Sequence, residues 1–208
     1  MKAWNRHIVR ALAAAAMLAL AGCGRSVPQL PALARSDVIL AFGDSLTYGT
    51  GAGKAHSYPA VLTRLTGHRV VNAGVPGELS AAGAARLPGV LDRIRPALIV
   101  LCHGGNDLLQ HRNEQATAAH LRAMVEAARD RGIPVVLLGV PRPRLFGREP
   151  PAFYPAIARR FDLPYDGNTL ATLEGEASLK ADAVHFNAEG YRRLARAVYR
   201  LIRQTGAL

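Results

Sequence analysis

Short apolar runs alternate with helix-spaced segments along most of this chain. Residues 38–42, 69–71, 98–102 and 135–140 are rich in β-branched and aliphatic side chains, show no polar alternation, and are each followed within a few residues by glycine or proline. Runs of this length and composition suit strands buried on both faces. Helical spacing occupies the stretches between and after them, at residues 58–65, 79–94, 114–131, 153–161 and 188–202. In the last of these, Tyr191, Leu194, Ala195, Val198, Leu201 and Ile202 fall on one face and Arg192, Arg193, Arg196, Arg200 and Arg203 on the other, the pattern of a helix laid on a core. Asn113 and Asn187 stand where N-caps belong. A weaker fifth strand is expected near residues 163–165. Such alternation predicts a parallel sheet with helices on both sides.

Ligands of such sheets bind beyond the carboxyl ends of the strands, in the crevice where the strand order reverses. Three glycine-containing polar segments are expected at that edge: Gly43-Asp44-Ser45 after the first strand, Asn72 to Gly77 after the second, and Gly104-Gly105-Asn106-Asp107 after the third. A serine hydroxyl is a poor nucleophile until a base takes its proton, and the base works best when a carboxylate fixes its tautomer. Asp182 and His185, three residues apart in a loop, supply that pair for Ser45. Negative charge developing on a substrate oxygen needs donors already aimed at it; the backbone N–H groups of Ser45 and Gly77 and the side chain of Asn106 can provide them. Asp44 and Asp107 read as turn-formers. His56, His68, His111 and His120 read as surface residues without an acidic partner, and His103 has no assigned role.

The first residues read as an export signal, with Lys2, Arg6 and Arg10 ahead of an uncharged apolar run from residue 11 to residue 20 that is too short to span a bilayer. It ends in Leu20-Ala21-Gly22-Cys23, which resembles the lipobox of bacterial lipoproteins. That resemblance implies a lipidated Cys23 as the mature N-terminus and membrane attachment through it, and Gly24 in place of Asp implies the outer membrane, facing the periplasm. Residues 23–36, with two prolines and no apolar period, are expected to be a tether, and residues 37–208 a single domain. Removal of residues 1–22 leaves 186 residues, enough for a core without disulfides. Cys102, in an apolar run, reads as a small buried hydrophobe. The mature chain carries 23 basic against 15 acidic side chains, a net +8; the arginines of the last helix read as a solvated face, with an anionic membrane surface as the alternative partner. Nucleic acid is not expected as a partner, since basic and aromatic residues are not interleaved, and the chain is expected to be a monomer.

Gly43-Asp44-Ser45-Leu46-Thr47, Gly74-Val75-Pro76-Gly77, Gly104-Gly105-Asn106-Asp107 and Asp182-Ala183-Val184-His185 are similar, in order and in content, to the four blocks of the GDSL, or SGNH, hydrolases. The resemblance runs over residues 38–198 and is nearest to the small arylesterase, thioesterase and lysophospholipase group. It implies a three-layer α/β/α sandwich with a mostly parallel, flavodoxin-like sheet, neither metal nor cofactor, Ser45, His185 and Asp182 as catalytic residues, and Ser45, Gly77 and Asn106 as the oxyanion hole. Either Gly74 or Gly77 matches the family's oxyanion glycine; Gly77 is preferred. In that group the loop after the fourth strand lies along the acyl chain, which makes Leu145 and Phe146 candidate acyl-binding residues. The function implied is hydrolysis of acyl (thio)esters or lysophospholipid-like lipids.

Other chemistries lack their marks. No His-Glu-x-x-His or paired cysteines suggest a metal site, and Ser45 has no Gly-x-Ser-x-Gly frame. Residues 49–54, Gly-Thr-Gly-Ala-Gly-Lys, lack the spacing of a phosphate loop and read as a flexible loop beside Ser45. The remaining alternatives are a carbohydrate O-deacetylase of the cell envelope and a non-catalytic envelope lipoprotein.

Overall fold

The computed structural model describes residues 27–142 and 149–208. Cys23, the signal segment, Leu145 and Phe146 therefore lie outside the described residues. Five parallel strands, β1 (Val38–Gly43), β2 (Arg69–Gly74), β3 (Leu98–Cys102), β4 (Val135–Leu138) and β5 (Tyr165–Asp166), form one sheet in the order β2-β1-β3-β4-β5. The chain steps from β1 to β2 in one direction and from β2 past β1 to β3 in the other. With right-handed crossovers this reversal puts the connecting helices on opposite faces. Helix α2 (Tyr58–Thr66) packs on α8 (Ala188–Gln204), while α3 (Ser80–Ile94) packs on α5 (Glu114–Arg129), with α6 (Phe153–Phe161) beyond it. The parallel sheet between two helix layers is the architecture expected from the alternating runs.

The central strands β1, β3 and β4 are buried almost throughout, from Ile39 and Phe42 to Val100 and Leu137. Strand β2 is different from the expected doubly buried type: it is an edge, with Arg69 and Asn72 exposed. Helices α1 (Ser45–Tyr48), α4 (Gly105–Leu109) and α7 (Thr169–Glu174) are one or two turns long, too short to display a period.

Both expected caps form: the Asn113 side chain accepts from the Ala116 N–H, and that of Asn187 accepts from Glu189 and Gly190. Residues 27–36 contain no helix or strand, yet they do not hang free as a bare tether would. The Leu30 and Leu33 amides donate to the carbonyls of Thr205 and Ala207 at 2.9 Å, and Val27, Leu30 and Leu33 pack on the core. The segment is thus tied to the end of α8. Cys102 is fully buried, as its apolar setting implied.

Strand register positions the site. Gly43 at the end of β1 pairs with Gly74 on one side and with Cys102 on the other, so the three motif-bearing loops leave the sheet at one level. The Val75 amide donates to the Gly43 carbonyl at 3.0 Å and holds the second loop beside the first for one further residue.

Candidate active site

Ser45 is the first residue of α1, turned out of β1 by Asp44. The Asp44 carboxylate caps that helix through the Leu46 N–H at 3.1 Å and also accepts from the Gly105 N–H, which ties the first loop to the third. Burial pushes the Asp44 carboxyl up; the nearby His103 and these two N–H groups pull in the opposite direction. Asp44 is thus the turn-former its position suggested, with a longer reach.

His185 and Asp182 lie in a loop whose ends are pinned. The Ala181 amide donates to the His185 carbonyl and the Asn187 amide to the Leu179 carbonyl, both at 2.9 Å. Residues 49–53 approach this loop and are held there by the Tyr191 hydroxyl, which donates to the Thr50 carbonyl at 2.7 Å. One Asp182 oxygen accepts the backbone N–H groups of Val184 and His185, each at 2.8 Å, and the other faces His185 Nδ1 at 2.8 Å. The His185 and Val184 N–H groups, and then the His185 ring, hold the Asp182 carboxyl at about 2, so it is ionised at neutral pH. An ionised carboxylate only accepts, so Nδ1 carries the ring proton and Nε2 presents its lone pair. His185 Nε2 stands 3.0 Å from Ser45 Oγ, within reach for proton transfer. The structure therefore brings together all three residues expected for the nucleophile, its base and the orienting acid.

Of the expected oxyanion donors, Ser45 and Asn106 line one cleft, and Gly77 precedes Glu78, whose carbonyl Asn106 holds. The Ser45 N–H opens α1 and has no carbonyl within its own helix to bond. Asn106, in α4, gives one amide hydrogen to the Glu78 carbonyl at 3.0 Å and keeps the other, since a carboxamide has two. The two glycines separate clearly. Gly74 donates its N–H to the Asn72 side chain at 2.9 Å, and a Cβ there would overlap the backbone of Thr47 and Tyr48. Gly77 has φ +76 and room for a Cβ, and its N–H has no partner among the described residues. Gly74 is the residue of close approach; Gly77 is the one with a donor to spare. An adjoining cleft is lined by Leu46, Leu109, Val140, Pro141 and Val184, with Glu174 among them, so one side of Ser45 is mostly apolar.

The GDSL-like Lipase/Acylhydrolase family model matches residues 41–193, which hold every one of these side chains. The chain belongs to this family. Esterase TesA of Pseudomonas aeruginosa is 32% identical over 181 residues, 81% of this chain and 88% of that protein. Thioesterase 1/protease 1/lysophospholipase L1 of Escherichia coli is 32% identical over 137 residues, 63% of this chain and 66% of that protein. A solved structure titled as the crystal structure of TesA matches with a TM-score of 0.73 at 30% identity, covering 81% of this chain and 99% of the other. This chain is accordingly an ester hydrolase with the fold of the SGNH hydrolases.

Three features of this GDSL hydrolase escaped its sequence. His103 is fully buried and sits 3.1 Å from a Glu78 oxygen. His120 is not a free surface residue: its Nδ1 is 3.0 Å from Ser80 Oγ, which donates to Asp107 at 2.6 Å. His68 is also buried, with Nδ1 3.3 Å from the Asp37 carbonyl. In each case the partner is far along the chain, where no spacing rule reaches.

The contrast between the glycines can be measured. Gly74→Ala is expected to destabilise the GDSL hydrolase by about 1–3 kcal/mol or more, because the new methyl meets backbone that cannot rotate away. Gly77→Ala is expected to cost about 1–2 kcal/mol, the strain of a positive φ alone, and to lower kcat by moving the amide. Urea unfolding beside steady-state kinetics tests this; a Gly77→Ala enzyme with unchanged kcat would remove Gly77 from the site.

Proposed function

We propose that this hydrolase cleaves acyl esters through an acyl-enzyme on Ser45. The observation that carries the reading is the unbroken hydrogen-bond chain from Asp182 through His185 to Ser45 Oγ. In the first half-reaction Oγ attacks the ester carbonyl carbon as its proton passes to His185 Nε2. The carbonyl oxygen, now negative, is received by the N–H groups of Ser45 and Gly77 and the amide of Asn106. Asp182 stabilises the imidazolium without taking its proton. Collapse of the tetrahedral intermediate expels the alcohol or thiol, which leaves with the proton from Nε2. Water then attacks the acyl carbon as its proton passes to His185 Nε2, the bond from the acyl carbon to Oγ breaks, the carboxylic acid leaves, and the proton returns to Ser45 Oγ.

The apolar walls formed by Leu46, Leu109, Val140 and Val184 favour a hydrocarbon acyl chain over a sugar, since aliphatic side chains offer burial but few donors to hydroxyl groups. Leu145 and Phe146 follow Pro141, which lines this cleft, by four and five residues in sequence, and are carried in this proposal as acyl-selecting side chains. The names of the relatives, esterase and thioesterase/lysophospholipase, agree with acyl esters or lysophospholipid-like lipids as substrates. Export with a lipid on Cys23 would hold the enzyme at the outer membrane, beside such lipids and facing the periplasm.

Ser45→Ala is expected to lose at least about 10³-fold in kcat toward p-nitrophenyl acyl esters, because triad members act as a unit. Asn106→Ala should lose about 10²–10³-fold in kcat with little change in KM, the effect of removing one oxyanion donor. Activity of Ser45→Ala within tenfold of the parent would overturn the mechanism, and a change confined to KM would make Asn106 a substrate-binding residue instead. For the anchor, Cys23→Ser is expected to move the enzyme from the membrane fraction to the soluble one, since each buried CH₂ of an acyl chain contributes about 0.8 kcal/mol. Membrane retention of that variant in high salt would show that the anchor lies elsewhere.

A further inference from the structure

Glu78 follows Gly77 directly, and its surroundings are unusual for a residue in an exposed turn. Its carboxylate side chain is only 7% exposed and is held from two sides. Arg86, two turns into α3, donates from Nε to one oxygen at 2.8 Å and from Nη2 to the other at 2.7 Å. His103, wholly buried at the end of β3, meets the second oxygen through Nε2 at 3.1 Å. The Gly104 N–H donates to His103 Nδ1 at 2.9 Å, so that nitrogen accepts and the ring proton sits on Nε2, facing Glu78. Burial alone would raise the Glu78 carboxyl, but the hydrogen bonds from His103 and Arg86 and the charge of Arg86 prevail and hold it at about 2.

Together with Asn106, this group holds the turn around Gly77 at three points, two backbone carbonyls and the Glu78 side chain. Arg86 Nη2 donates to the Ala73 carbonyl at 3.1 Å, just ahead of the turn, while its fork holds Glu78 just after it. One guanidinium therefore spans residues 74–77 from end to end. The Glu78 carbonyl, in turn, accepts from the Asn106 side chain at 3.0 Å and sets the plane of that amide. Arg86 has no freedom to swing, because its guanidinium lies over the Phe42 ring at 4.2 Å. A bidentate fork stacked on an aromatic face fixes direction as well as distance.

We infer that Glu78, clamped by Arg86 and His103, is a positioning residue that aims two of the three oxyanion donors, the Gly77 N–H and the Asn106 amide, at the reacting carbonyl. The inference rests on the oxyanion reading given above and adds to it the residues that make the donors rigid. Donors act strongly on a developing charge only when they need not reorganise to meet it, and a mobile 74–78 turn would forfeit that. Glu78 itself does not line the cleft beside Ser45.

Glu78→Gln keeps the side chain's shape but replaces one acceptor oxygen by an NH₂ that must face an arginine or histidine donor, so the clamp opens at one end. The expected result on a p-nitrophenyl ester is a loss of about 10²-fold in kcat, the scale of a misplacement near 1 Å, with KM within about twofold. A residue with a merely structural role would lower stability without this split. A double-mutant cycle with Asn106→Ala decides how the effect travels. If Glu78 acts through these donors, Glu78→Gln should lower kcat by no more than about tenfold in the Asn106→Ala background, because coupled residues do not add. Full multiplication of the two losses, or a kcat for Glu78→Gln within twofold of the parent while Asn106→Ala falls as expected, would overturn the clamp. An unchanged kcat for Asn106→Ala would strike the oxyanion reading itself, and the clamp with it. Should Glu78→Gln prove too unstable to assay, Arg86→Gln cuts the clamp at its other end and is subject to the same cycle and the same outcomes.

Discussion

The register of three parallel strands governs everything that happens at Ser45. Gly43 lies level with Gly74 and with Cys102, so the loops that follow β1, β2 and β3 begin at the same height on the sheet edge. A slip of one residue in either pairing would exchange the side chains that face the two helix layers, and the close packing on both buried faces of β1 and β3 disfavours it. The three loops then interlock by short contacts instead of flexible reach. Gly74 admits the backbone of α1, Asp44 joins the first loop to the third through Gly105, and Asn106 joins the third to the second through the Glu78 carbonyl. Ser45, Asn106 and the turn that carries Gly77 are therefore parts of one interlocked edge.

The fourth block reaches that edge differently. Asp182 and His185 come from a loop after α7, outside the sheet, and they are positioned by local hydrogen bonding. Two consecutive amides neutralise one oxygen of Asp182 and leave the other for the imidazole. The acid, which is half exposed, is kept ionised by these donors and not by burial. Glu78 presents the opposite solution: it is buried, and an arginine and a histidine are needed to keep it charged. A buried ion pair of this type does little for net stability once desolvation is counted, and the proposed role of this one is to fix the geometry of the turn.

Most of the fold was legible because its signals are local. The central strands and the longer helices announce themselves through uninterrupted apolar runs and 3.6-residue spacing, and Asn113 and Asn187 cap where their position implied. The elements that were hard to read are those whose stability comes from tertiary contact. Strand β5 is two residues long, and α1, α4 and α7 are too short to show a period. That Ser45, His185 and Asp182 would meet was legible for the same local reason, since Asp182 and His185 lie three residues apart and Ser45 stands in a marked turn. The Glu78, Arg86 and His103 cluster was not. Its members are eight and seventeen residues apart in sequence, on a turn, a helix and a strand end, and only the packing of α3 over Phe42 brings them together. His103 illustrates this well: within Cys102-His103-Gly104 nothing distinguishes it from a spacer, and its partner is known only once the sheet is closed.

In the proposed mechanism one serine, Ser45, activated by His185 and Asp182, is the nucleophile of this ester hydrolase. An aryl fluorophosphonate tests it directly, because Oγ would attack phosphorus, fluoride would depart, and the proton would pass to His185, leaving a stable adduct that mimics the tetrahedral intermediate. Intact-mass measurement is expected to show a single adduct that peptide mapping assigns to Ser45, formed at a rate reduced by orders of magnitude in His185→Ala. An adduct on any other residue, or labelling of Ser45 that proceeds unchanged without His185, would contradict the account.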